Sequence, residues 1–395
     1  MTSIKNYTNL EDRFDFPVFE VNSALGSVLL IGDVHLYNKE LRSTKKYVAN
    51  NMFMLNNIYD YLVENTEIKT VIFLGDIQHL TPSGKNTLRE AYKWIKFFRK
   101  LGDLMKPRFN TELVKVIMGS REDVPFDDFL SALDDGDIYP VFTLKGNHDI
   151  DSDSTDVDSF EASKEPYTFY DILIAEGLLV NPEQLVLDDK ILINFYNYGE
   201  PSRQFETYEG IEYTVGLFHD TLITEDSPSW ALEKNSGYDS VTLLNDVDIA
   251  YVGHIHEHYP PRLVECENGS KAIVWVVGSM GRTQMAGNPN SSDKSSGQIR
   301  DVGFGALIDT QNVSSLDSVR FDVIPSGEYF KLQGREITIE QRKEMRSFTL
   351  KRTNESDMIM TADMSPRELI LGDDSIEENV KNVCLSILDE INLSN

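Results

Sequence analysis

The chain has 395 residues, 41% of them apolar, which is enough to bury a sizeable core and excludes general disorder. Its 65 acidic residues against 37 basic ones leave a net charge of −28, which argues against indiscriminate adhesion to nucleic acid or anionic membrane. Two cysteines, Cys266 and Cys384, give neither a disulfide framework nor a cysteine zinc site, and no apolar run reaches the roughly 18 residues of a membrane span, so the expected location is the cytoplasm.

Residues 1–26 are of mixed polarity, with Phe14, Phe16, Val18 and Phe19 able to add an edge strand, and read as an N-terminal extension. An apolar run at 27–31 ends in Gly32-Asp33, and residues 47–62 then place Leu55, Ile58, Tyr59 and Leu62 at helical spacing. The pattern repeats. Residues 70–74 form a strand ending in Gly75-Asp76, and the helix after it is expected to bury Leu88, Ala91, Tyr92, Ile95 and Phe98. On its other side Arg89, Lys93, Lys96 and Lys100 form a basic stripe, either a solvated face or a contact for a nucleic-acid backbone. Residues 102–139 are acid-rich and read as an insertion before a strand that starts at Val141. Beyond it a helix is expected at 168–176 and strands at 184–187, 190–196, 213–218, 249–252, 272–277, 305–308 and 319–324. Residues 287–297 are a Ser/Asn/Gly/Pro loop, and residues 326–395 form a charged C-terminal extension with helices expected at 339–346 and 376–391.

All seven histidines fall in five short clusters that close apolar runs or directly follow their glycines. They are Asp33-Val-His35, Asp76-Ile-Gln-His79, Asn147-His148-Asp149, His219-Asp220 and His254-Ile-His256-Glu-His258. The carboxyl ends of strands are where open α/β sheets build their sites, so the clusters can converge. Carboxylates, an amide oxygen and imidazoles together suit manganese, iron or zinc and make a poor all-oxygen calcium cage. So large a supply of ligands argues for two metals sharing one carboxylate, the arrangement that clamps a phosphoryl group. The Asp-x-His and His-x-His spacings agree, since alternate residues of an extended segment point the same way.

Taken in order, Gly-Asp-x-His, Gly-Asp, Gly-Asn-His-Asp, a lone strand-end His and Gly-His-x-His resemble the calcineurin-like metallophosphoesterase superfamily over about residues 27–325. Two details are similar to the nuclease subunit of SbcCD-type DNA repair complexes: Gly75-Asp-Ile-Gln-His79-Leu-Thr-Pro-Ser-Gly, and Val277-Gly278-Ser279 following Gly253-His-Ile-His256. The resemblance implies an α/β fold of four layers, α/β/β/α, with a C-terminal extension. It implies two divalent ions, manganese first and iron, zinc or magnesium as alternatives. Asp33, His35 and His256 would hold one ion, Asn147, His219 and His254 the other, and Asp76 would bridge them. His148 would be the general acid, oriented by Asp149, and His79 would face the substrate phosphate. His258 has no counterpart, Gln78 stands where an apolar residue is usual, and Asp220 after His219 is also a departure.

These implications lead to a phosphodiester hydrolase, with DNA as the first substrate expected in a repair, recombination or degradation role. A phosphodiesterase or phosphatase acting on small nucleotides or a phosphoprotein is the second reading, and a non-catalytic metal-bearing scaffold the third. The expected partner is an SbcC-like ATPase, docked through the C-terminal extension, where Val380, Val383, Cys384, Ile387 and Ile391 fall at helical spacing. The alternative is that this helix packs on its own core.

Overall fold

The structure, a computed structural model, describes residues 3–6, 23, 25–36, 47–78, 88–119, 129–150, 168–223, 238–256, 258–280, 302–313 and 315–322. The chain divides into two compact units, residues 1–283 with 300–324 and residues 284–299 with 325–395, and every described residue belongs to the first. The expected helices at 339–346 and 376–391, the loop at 287–297 and His79 lie outside the described residues.

In chain order the elements are β1 (Ser3–Asn6), β2 (Ser27–Ile31), α1 (Tyr47–Glu64), β3 (Ile68–Phe73), α2 (Leu88–Met105), β4 (Val114–Ile117), α3 (Phe129–Asp135) and β5 (Val141–Thr143). Then come α4 (Phe169–Ala175), β6 (Gln184–Leu187), β7 (Ile191–Tyr196), β8 (Tyr213–Phe218), the two-residue pair β9 (Leu222–Ile223) and β10 (Tyr238–Asp239), β11 (Ile249–Val252), β12 (Arg262–Glu265), β13 (Lys271–Val276), β14 (Val302–Ile308) and β15 (Asp317–Asp322).

Two mixed sheets carry the fold. The first has the order β1-β15-β14-β2-β3-β5, with β2, β3 and β5 parallel; the second has the order β12-β13-β11-β8-β7-β6-β4, with β7, β8, β11 and β13 parallel. The parallel strands are almost wholly apolar because both of their faces are covered. Leu30, Ile72 and Phe142 of the first sheet share one core with Ile193, Val215, Leu217, Tyr251 and Trp275 of the second. On the opposite face of the first sheet, Phe73 meets Phe98 of α2 with ring centroids 5.7 Å apart, and Tyr61 of α1 meets Phe321 of β15 at 5.4 Å. The outer face of the second sheet is covered around Phe218, Ala250, Val252 and Val274 by Leu222, Leu244 and Val247. This is the mixed α/β architecture of two sheets with helices that was expected.

Three details differ from the sequence reading. Helix α2 buries Trp94, Phe97, Phe98, Leu101 and Met105, while Tyr92 is 59% exposed. Apolar residues at 91, 92, 94, 95, 97, 98 and 101 offer a stripe wide enough for two orientations, and the one that buries Trp94 and both phenylalanines removes more apolar surface from water. Within the stretch read as an insertion, β4 pairs with β6 as the edge of the second sheet, and Phe109, Val114, Phe129 and Leu133 join the shared core. Within the N-terminal extension, β1 pairs antiparallel with β15. Among the described residues no helix is long and apolar enough to cross a membrane.

Candidate metal centre

The parallel strands of both sheets deliver their carboxyl ends to one place. Asp33 and His35 follow β2, Asp76 follows β3, Asn147 and His148 follow β5, His219 follows β8, and His254 and His256 follow β11. A glycine or a polar residue closes these apolar runs: Gly32 directly after β2, Gly75 after Leu74 at the end of β3, Lys145-Gly146 after Leu144 at the end of β5, His219 directly after β8 and Gly253 directly after β11. His35, Asp76 and His254 have φ of 49°, 47° and 68°, the left-handed region that costs a residue with a Cβ about 1–3 kcal/mol. Three of the ligand candidates thus sit on backbone that local preference would not choose. Close approach also requires Gly146, since a Cβ there would strike the Asp76 carboxylate and crowd His219.

The side chains form two groups with Asp76 common to both. In the first, His35 Nε2 lies 3.5 Å from Asp76 Oδ2, 3.9 Å from Asp33 Oδ2 and 2.8 Å from His256 Nε2. In the second, Asp76 Oδ1 lies 3.2 Å from His219 Nε2, while Asn147 Oδ1 lies 3.3 Å from His219 Nε2 and 2.9 Å from His254 Nδ1. The two oxygens of Asp76 therefore face different ligand sets. Nδ1 of His219 donates to the carbonyl of Leu74 at 2.5 Å, which leaves Nε2 as the ligand atom.

The electrostatics favour a cation here. Asp33 Oδ2 and Asp76 Oδ2 are buried and accept no hydrogen bond, an expensive state for carboxylate oxygens unless a cation faces them. Burial, with the Asp76 charge nearby, pushes Asp33 up to about 7 despite His219. Burial also opposes charge on Asp76, but the imidazoles of His219 and His35 outweigh it and hold that carboxyl below the usual range. Burial disfavours charge on His219 too, yet Asp76 raises it to about 10, so an ion binding at its Nε2 must displace a proton. Burial and the neighbouring His219 take His254 down to about 4, leaving it neutral, as a ligand must be. The oxygen and imidazole donors and the orphaned carboxylate oxygens fit divalent metal ions.

His148 lies beside this centre, its ring 5.1 Å from that of His35 and edge-on to it. Its backbone N–H donates to Asp76 Oδ1 at 2.9 Å. Asp149 acts on the loop through backbone: its carboxylate accepts from the N–H of Gly146 (2.9 Å), Gln78 (3.2 Å) and Ile77 (3.4 Å). Burial, with the Asp76 charge, pushes its carboxyl up to about 8. His258 belongs to a packing role, its Nδ1 donating to the Val277 carbonyl at 2.8 Å and its ring stacked on Phe304 at 4.5 Å. Asp220 closes its own loop, accepting from the N–H of Thr221 and Gly199 at 2.9 and 3.1 Å. Asn197, which the motifs did not single out, accepts from the Lys145 N–H at 2.8 Å and so ties the loop after β7 to the segment leading to Asn147.

The sequence matches the family described as calcineurin-like phosphoesterase over residues 26–258. The chain belongs to the calcineurin-like phosphoesterase family. No curated protein sequence matches it. Among solved structures, it is similar to the NAD nucleotidase of Haemophilus influenzae at 14% identity, over 90% of this chain and 70% of that one, with a TM-score of 0.33. It is similar to a 5'-nucleotidase precursor from Thermus thermophilus at 13% identity, over 84% of this chain and 59% of that one, TM-score 0.32. It is also similar to GAP50, described as the anchor in the inner membrane complex of Plasmodium, at 11% identity, over 82% and 94%, TM-score 0.27. The family rests on the sequence match, to which TM-scores this low add nothing. The comparisons support the family and give no support to the narrower likeness to an SbcCD-type nuclease subunit.

Proposed function

We propose that this phosphoesterase hydrolyses small phosphoesters of nucleotide size. The observation that carries the hydrolytic reading is the division of Asp76, one oxygen toward Asp33, His35 and His256 and the other toward His219, with Asn147 and His254 beyond it. In this reading the first set holds one divalent ion and the second set another. Bound there, the ions would supply Lewis acidity to the phosphoryl oxygens and lower the pKa of water from about 15.7 towards 7. The chain's own part is to fix the ligands through buried strand ends, to neutralise charge at the phosphate, and to deliver a proton from His148 to the departing alcohol oxygen.

The choice of small substrates over DNA rests on charge. A net charge of −28 repels a polyanion, whereas a single phosphate needs attraction only at the centre itself. The lysines of the α2 stripe have intramolecular company: Lys100 Nζ lies 3.5 Å from the centroid of the Tyr59 ring, and Lys96 Nζ lies 4.9 Å from that of Tyr92. A DNA nuclease is the second reading, favoured by the run from Gly75 to His79 and by the same lysines if they meet phosphates.

The test is an assay of manganese-loaded protein on adenosine 5'-monophosphate, a cyclic nucleotide, single-stranded DNA and linear duplex DNA side by side. Turnover of the small esters, abolished by chelation, is expected. Turnover confined to the polymers would replace this reading with the nuclease, and full activity in excess chelator with no metal by elemental analysis would remove the metal centre.

A further inference from the structure

Gln78 is fully buried, directly follows the loop that carries Asp76, and occupies a position where an apolar residue was expected. A buried amide is retained without penalty only if both its ends are hydrogen-bonded. Here Oε1 accepts from the backbone N–H of Phe169 at 2.9 Å, and Nε2 donates to the backbone carbonyl of His148 at 3.3 Å. Its own N–H donates to Asp149 Oδ1 at 3.2 Å, and its backbone bridges to Leu36, next to His35. Phe169 opens α4, whose end is already set by the reciprocal bonds of Thr168 and Asp171, and its ring packs 5.2 Å from buried Trp94 of α2. The amide therefore runs from a rigid point in the helical layer to the carbonyl of the residue beside the metal centre.

The backbone of His148 is gripped on both sides, by Asp76 Oδ1 at its N–H and by Gln78 Nε2 at its carbonyl. We propose that Gln78 is a positioning residue: it fixes the backbone dihedrals of His148 and so aims the imidazole at the leaving-group oxygen. This rests on the general-acid reading of His148 given above. An apolar side chain of similar size would fill the space but release the carbonyl, and the ring would then sample orientations from which the proton cannot be delivered. Small misplacements of a reacting group are costly in turnover.

The experiment uses the full chain loaded with manganese and the substitutions Gln78→Leu and Gln78→Met, each alone and combined with His148→Ala. Two esters separate the roles: 4-nitrophenyl phosphate, whose phenolate leaves with little help from an acid, and adenosine 5'-monophosphate, whose alkoxide needs the proton. Either substitution is expected to lower turnover of the nucleotide about tenfold or more, to leave the nitrophenyl ester nearly unchanged, and to add no further loss in the His148→Ala background. In the same proteins loaded with diamagnetic zinc, the ring signals of His148 in NMR, identified by their loss in His148→Ala, should shift in both Gln78 variants while metal content stays the same. Equal losses on both esters, losses that add to those of His148→Ala, unmoved His148 signals, or variants that both fail to fold would overturn the proposal. If the unsubstituted protein turns over neither ester, the hydrolase reading falls instead, and the NMR comparison alone decides whether Gln78 holds His148.

Discussion

Asp76 and His148 stand a few ångströms apart yet are separable by substitution, because one offers both carboxylate oxygens to the ligand sets and the other meets the centre through its ring edge and its backbone N–H. Asp76→Ala removes the side chain common to both groups. It is expected to lose both ions, read by elemental analysis after desalting, and with them all turnover. His148→Ala leaves every ligand in place. Its expected signature is full metal content with turnover lower by about 10²–10⁴, the usual worth of a general acid. The opposite pattern, metal lost with His148 and kept without Asp76, would reverse the two roles. Both assignments came from motif order; Gln78 did not, because its two partners, at positions 148 and 169, are far from it in sequence and are backbone atoms that no side-chain motif records.

Among the elements, the central parallel strands were legible because continuous apolar runs closed by Gly-Asp, Gly-Asn or His leave little choice of state. The edges were not. In β12 (Arg262–Glu265) and β4 (Val114–Ile117) polar residues interrupt short runs, and one face of an edge strand carries too little apolar signal to stand out. Helix α2 was placed correctly but turned wrongly, since its apolar stripe admits two faces and only the sheet surface chooses between them. The observed orientation is testable. Phe98 is fully buried against Phe73, so Phe98→Ala should cost about 3–5 kcal/mol in urea unfolding, whereas Tyr92→Ala, at an exposed position, should cost almost nothing. Equal costs would return α2 to the face first expected.

Charge belongs to the whole molecule. Against a net −28, the α2 lysines are the concentrated positive surface that the sequence offers to a polymer. Replacing Arg89, Lys93, Lys96 and Lys100 with glutamate is expected to leave hydrolysis of a small chromogenic ester intact and to leave affinity for duplex DNA and its salt slope unchanged. A steep salt slope in the unsubstituted protein that flattens in the variant would show phosphate contacts and restore the nuclease reading. Docking of an ATPase partner through the C-terminal extension remains a proposal of the same scale. Deleting residues 375–395 tests it: a protein that still folds and turns over a small ester but no longer co-purifies with such a subunit supports docking, and one whose core melts or aggregates assigns the segment to the fold.

The sequence by itself determined the family, the α/β class, the strands that end at the site and the identities of the candidate ligands, because chemistry at strand ends is written in local residue types and spacings. The tertiary structure decided how those ends meet. It paired β14 and β15 beside β2, although they lie near the far end of the described chain, and set β7, β8 and β11 of a second sheet against β2, β3 and β5. It divided the two oxygens of Asp76 between separate ligand sets, held His35, Asp76 and His254 in left-handed backbone, and strung Gln78 between α4 and His148. Such arrangements depend on contacts between residues far apart in the chain, whose stability comes from burying apolar surface in the shared core, and no local spacing encodes them.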